Sequence, residues 1–272
     1  MSTATPALAG GPSAAVRRVA VIGAGTMGNG IAQAFATSGF EVELVDVDPD
    51  LVARALGTIG RSLERVARKQ EWPAERAPEV LRRIRGGASL DATRDCPIAI
   101  EAVSEDFALK KKVFEQLDAT APPSAILASN TSSISITEIA AVTRRAERVI
   151  GMHFMNPVPL MKLVEVVRGL PTSQETFETT VALAEKVGKT TIAARDIPGF
   201  IVNRVLIPLL NEACYALYEG LGTVEDIDTG ARLGLNHPMG PLELADLIGL
   251  DTCLAIANVL HDELGDDKYR PC

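Results

Sequence analysis

Val19-Ala-Val-Ile-Gly-Ala-Gly-Thr-Met-Gly28, an apolar-periodic run to Gly39, and Glu41-Val-Glu-Leu-Val-Asp46 form the stretch that decides the fold. A short β-branched run, a Gly-x-Gly-x-x-Gly turn, a helix and a second strand closing on an acid make one βαβ unit. In this reading Gly23 permits the tight turn, Gly25 lets the backbone approach a pyrophosphate, and Gly28 allows close packing of helix on strand. Thr26 and Met27 open the helix, whose N-terminal N–H groups and positive dipole end suit phosphates. Asp46 lies eighteen residues past Gly28, near the spacing of about 20 expected for a carboxylate that binds a ribose 2′-hydroxyl. That carboxylate would repel a 2′-phosphate, and no arginine follows it at once, so the unit reads as a site for NAD rather than NADP. A lone Gly-rich turn is a weak signal. Here strand, helix, second strand and acid are all in register.

The bulk properties set bounds around this unit. A length of 272 residues suggests about two domains at ~150 residues each. Apolar residues at 47% with 23% charged describe an ordinary globular chain. A net charge of −8 argues against a general affinity for nucleic acid or anionic membrane. Cys96, Cys214, Cys253 and Cys272 form no Cys-x-x-Cys pair, which speaks against a metal centre and for a reducing, cytoplasmic setting. Residues 1–16, rich in Ala, Gly, Pro, Ser and Thr, read as a flexible tail, neither signal peptide nor membrane anchor.

Beyond Asp46 the pattern predicts a helix over 50–70 with Leu51, Ala55, Leu56, Ile59, Leu63 and Val66 as its apolar stripe. Trp72-Pro73 breaks it, and a second helix is expected over 74–83. This pair is the most basic part of the chain, with Arg54, Arg61, Arg65, Arg68, Lys69, Arg76, Arg82, Arg83 and Arg85. It is either a solvated, salt-bridged surface or a landing place for an anionic ligand such as a nucleotide diphosphate handle. Strands are then expected over 97–103, 125–128, 149–153, 162–167 and 190–194, with helices over 106–121 and 173–187. Such alternation means α/β: a Rossmann-like, doubly wound, mostly parallel sheet with ligands at the carboxyl ends of its strands. The character changes at Asp196-Ile-Pro-Gly-Phe200. Helices alone are expected over 201–219, 224–233, 241–248 and 251–264. The organisation is therefore an NAD-binding domain at 17–197, with a basic helix-pair excursion at 50–85, followed by a smaller all-α domain at 198–272. Apolar positions such as Ile201, Val205 and Leu209 suit either a core or a dimer face.

A nicotinamide enzyme that oxidises an alcohol needs a base for the hydroxyl proton, and His titrates near neutrality without help. The chain has three. His261 sits among acids on a late amphipathic helix and reads as surface; His237 lies in the turn-rich Leu235-Asn-His-Pro-Met-Gly-Pro241 and reads as structural or as part of a substrate loop. His153 ends a predicted strand in Gly151-Met-His-Phe-Met-Asn-Pro157, at the ligand edge of the sheet. Glu165 is a carboxylate inside the apolar strand Leu163-Val-Glu-Val-Val167, where a buried charge costs several kcal/mol unless paired. Pairing to a ring N–H of His153 would remove that cost, fix the tautomer and stabilise an imidazolium. The bland alternative is a solvent-exposed strand face with an ordinary glutamate.

At these residues the chain resembles the L-3-hydroxyacyl-CoA dehydrogenase family, most of all its bacterial 3-hydroxybutyryl-CoA branch. The motifs are Gly23-Ala-Gly-Thr-Met-Gly28, Ser129-Asn-Thr-Ser-Ser133, His153-Phe-Met-Asn-Pro157 with Lys162-Leu-Val-Glu-Val166, and Pro198-Gly-Phe-Ile-Val-Asn-Arg204. They span the chain from about Arg17 onward and are jointly specific. The resemblance implies reversible, NAD-dependent oxidation of an L-3-hydroxyacyl-CoA, with His153 as base and Glu165 as its partner. It implies that Ser132 and Asn203 hold the substrate's C3 oxygen, and that Glu105, Lys110, Ser132 and Asn156 contact the cofactor. Ser62 and Lys69 fall at the family's coenzyme A contacts, which favours the anion-handle reading of the basic helices. A homodimer is expected on the same ground. Family members continue past a Lys-Tyr-x-Pro segment into a final helix and a Gly-rich, aromatic closing motif. This sequence stops at Lys268-Tyr-Arg-Pro-Cys272, so either its end is missing or the helical domain lacks that last segment.

Two other enzyme readings compete. The 6-phosphogluconate-type dehydrogenases share the Gly-rich opening but take their acid/base from a lysine of the helical domain. Between Lys189 and Lys268 there is no lysine. Gulonate-dehydrogenase relatives, acting on free sugar acids, share the His–Glu pair but would leave the basic helices without a purpose. An idle NAD-binding protein should have lost one of His153, Glu165, Ser132 or Asn203, and all four are present.

Overall fold

The computed structural model describes residues 16–272, so the tail expected at 1–16 falls outside the described residues up to position 15. The chain divides into two compact units, the first ending at Asp196 and the second spanning Ile197–Cys272.

The first unit is an eight-stranded sheet flanked by helices. Its elements run β1 (Arg18–Ile22), α1 (Thr26–Thr37), β2 (Glu41–Val45), α2 (Pro49–Lys69), α3 (Arg76–Arg82), β3 (Ile84–Gly87), β4 (Ile98–Glu101), α4 (Phe107–Thr120), β5 (Ile126–Ser129), α5 (Ile136–Ala141), β6 (Val149–Phe154), β7 (Leu163–Arg168), α6 (Gln174–Lys186) and β8 (Thr190–Arg195). The strand order is β3-β2-β1-β4-β5-β6-β7-β8, and every pairing is parallel except β6 with β7. The central strands read as unbroken apolar runs because both faces are covered: Val19, Ala20 and Val21 of β1 are all wholly buried. Phe35 on α1 seals the sheet edge-on against Phe40 and Phe154, at 5.3 and 6.4 Å between ring centres. Strand order reverses between β1 and β4, the switch point at which such sheets open a crevice.

Two elements were not foreseen. Positions 84 and 85, assigned from the sequence to the helix-pair excursion, belong to β3, which pairs in parallel with the edge of β2 through Val42↔Ile84 to Val45↔Gly87. Ile84-Arg-Gly-Gly87 carries a single large apolar residue and so shows no strand pattern. Gly86 is there because α2 packs on it: an added Cβ would collide with Val52. The short α5 begins where Asp196 caps it. That carboxylate accepts from Ile136 N at 2.9 Å, Thr137 N at 2.8 Å, Ser135 Oγ at 2.8 Å and Thr137 Oγ1 at 2.6 Å. The last residue of the first unit is thereby fixed to the sheet's own layer.

The second unit is helical: α7 (Val202–Tyr218), α8 (Val224–Thr229), α9 (Pro241–Ile248) and α10 (Leu250–Leu264). Thr223 and Asp226 form a capping box that starts α8. Asp228, buried, accepts from Leu242 N and Glu243 N at 2.8 and 3.0 Å, tying α8 to the start of α9. Ile207, Ala257, Leu260 and Tyr269 form its small core. Among the described residues no single helix is long and apolar enough to cross a membrane.

Candidate active site

The Gly-rich turn is built by close approach. Gly23 has φ +103°, in the left-handed region, and an added Cβ would meet Ala102 O at 2.5 Å. Its N–H donates to Val45 O at 2.7 Å, while Ala102 N donates to Ile22 O at 2.7 Å, so β1, β2 and β4 converge here. A Cβ on Gly28 would collide with Gly23 O, so this glycine lets the helix close on the turn itself more than on the strand. Gly25 faces open space, with nothing within 4 Å of an added Cβ. Of the three motif glycines, Gly25 alone leaves room for a ligand where a side chain would stand. Asp46 at the end of β2 accepts from Ala24 N at 2.8 Å and Asp48 N at 3.1 Å. It lines a cavity of about 650 Å³ with Gly23, Gly25, Val47 and Leu51. Thr26 and Met27 form the first turn of α1 beside it. The turn, the open face of Gly25, the helix N-terminus and the cavity together fit a dinucleotide.

The second part of the site is a cross-strand pair. In the antiparallel pairing of β6 with β7, His153 stands directly opposite Glu165. His153 Nδ1 lies 2.8 Å from Glu165 Oε2. Glu165 is wholly buried and His153 is 8% exposed. An ionised carboxylate only accepts, so in this hydrogen bond His153 Nδ1 is the donor. The end of the His153 strand is held by Asn130, whose Oδ1 accepts from Phe154 N at 2.9 Å.

A third cluster sits at the carboxyl ends of β4 and β5. Glu101, wholly buried, accepts from Lys110 Nζ and Val103 N at 2.7 Å each and from Ser129 Oγ at 2.6 Å. Lys110, 1% exposed, also reaches Glu105 Oε2 at 3.2 Å. Glu105 Oε1 then accepts from Thr131 Oγ1 at 2.5 Å, Ser132 N at 2.9 Å, Ser133 N at 3.1 Å and Ser133 Oγ at 3.0 Å. Burial would raise the Glu105 carboxyl, but the Lys110 ammonium, the Thr131 hydroxyl and the Ser132 amide outweigh it and hold the group below the usual carboxylate range. The loop that carries Ser132 is thus gripped by a carboxylate that stays ionised at neutral pH.

Of the remaining candidates, Asn156 is exposed in the turn after β6. Ser62, half-buried, and Lys69, exposed, lie seven residues apart along α2. Of the basic set, Arg54, Arg83 and Arg85 make ion pairs, at 3.6, 2.7 and 3.8 Å. Asn203 begins α7 in the second unit. His237 is in a turn, and His261 lies near Asp262 and Asp267, at 3.4 and 3.8 Å. Glu101 and Asn130 were not singled out from the sequence. The signal for Glu101 was present, since it is an acid in an apolar strand just as Glu165 is.

A histidine hydrogen-bonded to a buried carboxylate and a dinucleotide turn on the same sheet suit transfer of a proton and a hydride from one carbon–oxygen centre. Comparisons with known proteins point the same way. Residues 18–197 match the family model described as 3-hydroxyacyl-CoA dehydrogenase, NAD binding domain, and residues 199–272 match the corresponding C-terminal domain. The chain is 54% identical over 257 residues to a probable 3-hydroxybutyryl-CoA dehydrogenase of Bacillus subtilis, covering 94% of this chain and 90% of that one. It is 52% identical over 260 residues to a 3-hydroxybutyryl-CoA dehydrogenase of Bradyrhizobium diazoefficiens, covering 96% and 89%. The crystal structure of (S)-3-hydroxybutyryl-CoA dehydrogenase from Ralstonia eutropha superposes with a TM-score of 0.92 at 50% identity, covering 94% of this chain and 91% of that one.

Removing one member of a buried ion pair strands its partner's charge. Lys110→Met should therefore lower unfolding free energy by about 3 kcal/mol, at the low end of the range because Glu101 keeps two other donors. Urea titration followed by circular dichroism measures it; a loss under about 1 kcal/mol would show that Glu101 does not depend on Lys110.

Proposed function

This chain belongs to the 3-hydroxyacyl-CoA dehydrogenase family, and from that premise we propose that it interconverts an L-3-hydroxyacyl-CoA, with 3-hydroxybutyryl-CoA as its substrate, and the 3-ketoacyl-CoA. It is an NAD-dependent oxidoreductase. The observation that carries the finer reading is the 2.8 Å contact between His153 Nδ1 and the buried Glu165 carboxylate.

NAD, when bound at the Gly23–Gly28 turn with Asp46 on its ribose, supplies the acceptor for the hydride. His153 Nε2 takes the hydroxyl proton, and Glu165 balances the charge that then appears on the ring. Glu165 also holds the imidazole in the tautomer that leaves Nε2 basic, as the carboxylate does in a hydrolase triad. Ser132 and Asn203 orient the C3 oxygen, a contribution of position rather than acid/base work. Glu105, Ser132 and Asn156 contact the cofactor, while Lys110, expected from the sequence as a further contact, has its ammonium buried between two carboxylates and acts through Glu105. Ser62 and Lys69 meet the coenzyme A handle on the basic face of α2. In the ketone-reducing direction the same imidazolium returns its proton, which makes the reaction reversible.

The protein works as a homodimer in this reading, through the apolar face of α7. Val205 is 68% exposed there, with Ile201 and Leu209 one turn to either side. Light scattering coupled to gel filtration should give twice the chain mass, and Val205→Glu should shift it to the monomer. A monomeric wild type at micromolar concentration would refute the dimer.

Oxidation of NADH by acetoacetyl-CoA, run beside NADPH and beside free acetoacetate, tests the substrate and the role of Asp46 together. Turnover is expected with the thioester and NADH. Turnover of the free acid would instead favour sugar-acid relatives and leave the basic face as plain surface. His153→Ala should cut turnover by more than the roughly 10²–10⁴ usual for one acid/base group, because positioning is lost too. Glu165→Gln should do similar damage with NADH affinity intact, and an effect confined to cofactor binding would contradict the pairing.

A further inference from the structure

The His153 and Glu165 strands are joined by the loop of residues 155–162, and this loop is tied down from a third strand. Lys189 stands immediately before β8, is 8% exposed, and its Nζ donates to Val158 O at 2.6 Å and Met161 O at 2.7 Å. The adjacent backbone adds to the grip, with Thr190 N donating to Lys162 O at 2.7 Å. Inside the loop the N–H groups of Leu160 and Met161 both reach back to Pro157 O at 3.0 Å. Val158 is buried against α1 so closely that an added Cβ on Gly30 would lie 2.9 Å from its own Cβ. One loop therefore links the helix that opens at the dinucleotide turn with the two strands that pair His153 to Glu165.

A lysine is a costly side chain to use here. Among the described residues no carboxylate lies within ion-pair distance of it, and burial pushes its ammonium below the usual lysine range. Methionine would fill the same volume without desolvating a charge. What an ammonium adds is three donors on one flexible stem, enough to hold two carbonyls three residues apart. Each of these charge-assisted bonds offsets part of the desolvation cost, and together they fix one conformation of the loop.

We propose that Lys189 is a positioning residue for the reaction, holding the loop of residues 155–162 so that Asn156 stands where the cofactor needs it. The proposal rests on the reading of Asn156 as a cofactor contact. Lys189→Met and Lys189→Arg test it, with acetoacetyl-CoA turnover by the wild type as the separate check on that reading. Lys189→Met takes the donor away from two carbonyls and should melt below the wild type while remaining folded. Its Kd for NADH, read by fluorescence, and its KM for NADH should both rise about three- to tenfold, the worth of one polar contact. Its kcat at saturating NADH should fall by less than KM rises, and amide exchange at Leu160 and Met161 should quicken. Lys189→Arg, whose planar donors cannot reach both carbonyls as well, should fall between the two. A folded Lys189→Met with unchanged NADH affinity overturns the proposal. If that variant does not fold, Lys189→Arg decides, and unchanged affinity and exchange there overturn it equally. A wild type that binds NADH but turns over no thioester would defeat the functional reading, while the Kd comparison would still judge Lys189.

Discussion

A carboxylate inside an apolar strand has to find a partner, and here strand register chooses it. Glu165 lies on β7, which has β6 on one side and β8 on the other, so no solvent reaches it through the sheet. The antiparallel pairing with β6 sets His153 directly opposite. A slip of β7 by one residue would turn Glu165 to the face of the sheet opposite His153 and leave a buried charge alone. The neighbouring structure guards that register. Asn130 holds the end of β6, and Lys189 and Thr190 hold the loop that joins β6 to β7.

The same constraint recurs at Glu101, with a different solution. This acid ends a central parallel strand and is satisfied by an ammonium, a hydroxyl and a backbone amide at once. The arrangement then propagates: Lys110 draws in Glu105, and Glu105 collects the amides and hydroxyls of residues 131–133. A polar network of this kind specifies one conformation only when every member is paired. Its outcome is one set conformation for the loop bearing Ser132, at the carboxyl ends of β4 and β5.

The chain's organisation into two units follows from similar local ties. Asp196 ends the first by capping α5, so the exit point of the chain is set within the sheet domain itself. The second unit closes around a small apolar core, with Asp228 capping α9 from α8. The family matches fall on the two sides of the same boundary, 18–197 and 199–272.

Much of this was legible in the sequence, because period and residue type are local properties. The β-branched runs, the Gly-x-Gly-x-x-Gly turn and the change of pattern at Asp196-Ile-Pro-Gly-Phe200 are sufficient for a doubly wound sheet followed by helices. An acid in an apolar strand was sufficient to mark Glu165 as a charge in need of a partner. What local pattern could not supply was everything that depends on closure. The strand β3 exists because β2 offers an open edge, not because Ile84-Arg-Gly-Gly87 prefers to be extended. Glu101 carries the same signal as Glu165, yet its partner is a helical lysine nine residues on and a serine 28 residues on. The sequence by itself determined the fold class and the residue types available for chemistry. Only the tertiary structure decided which buried charges meet, because that depends on register and on how loops close between distant strands, and neither is written in any one segment.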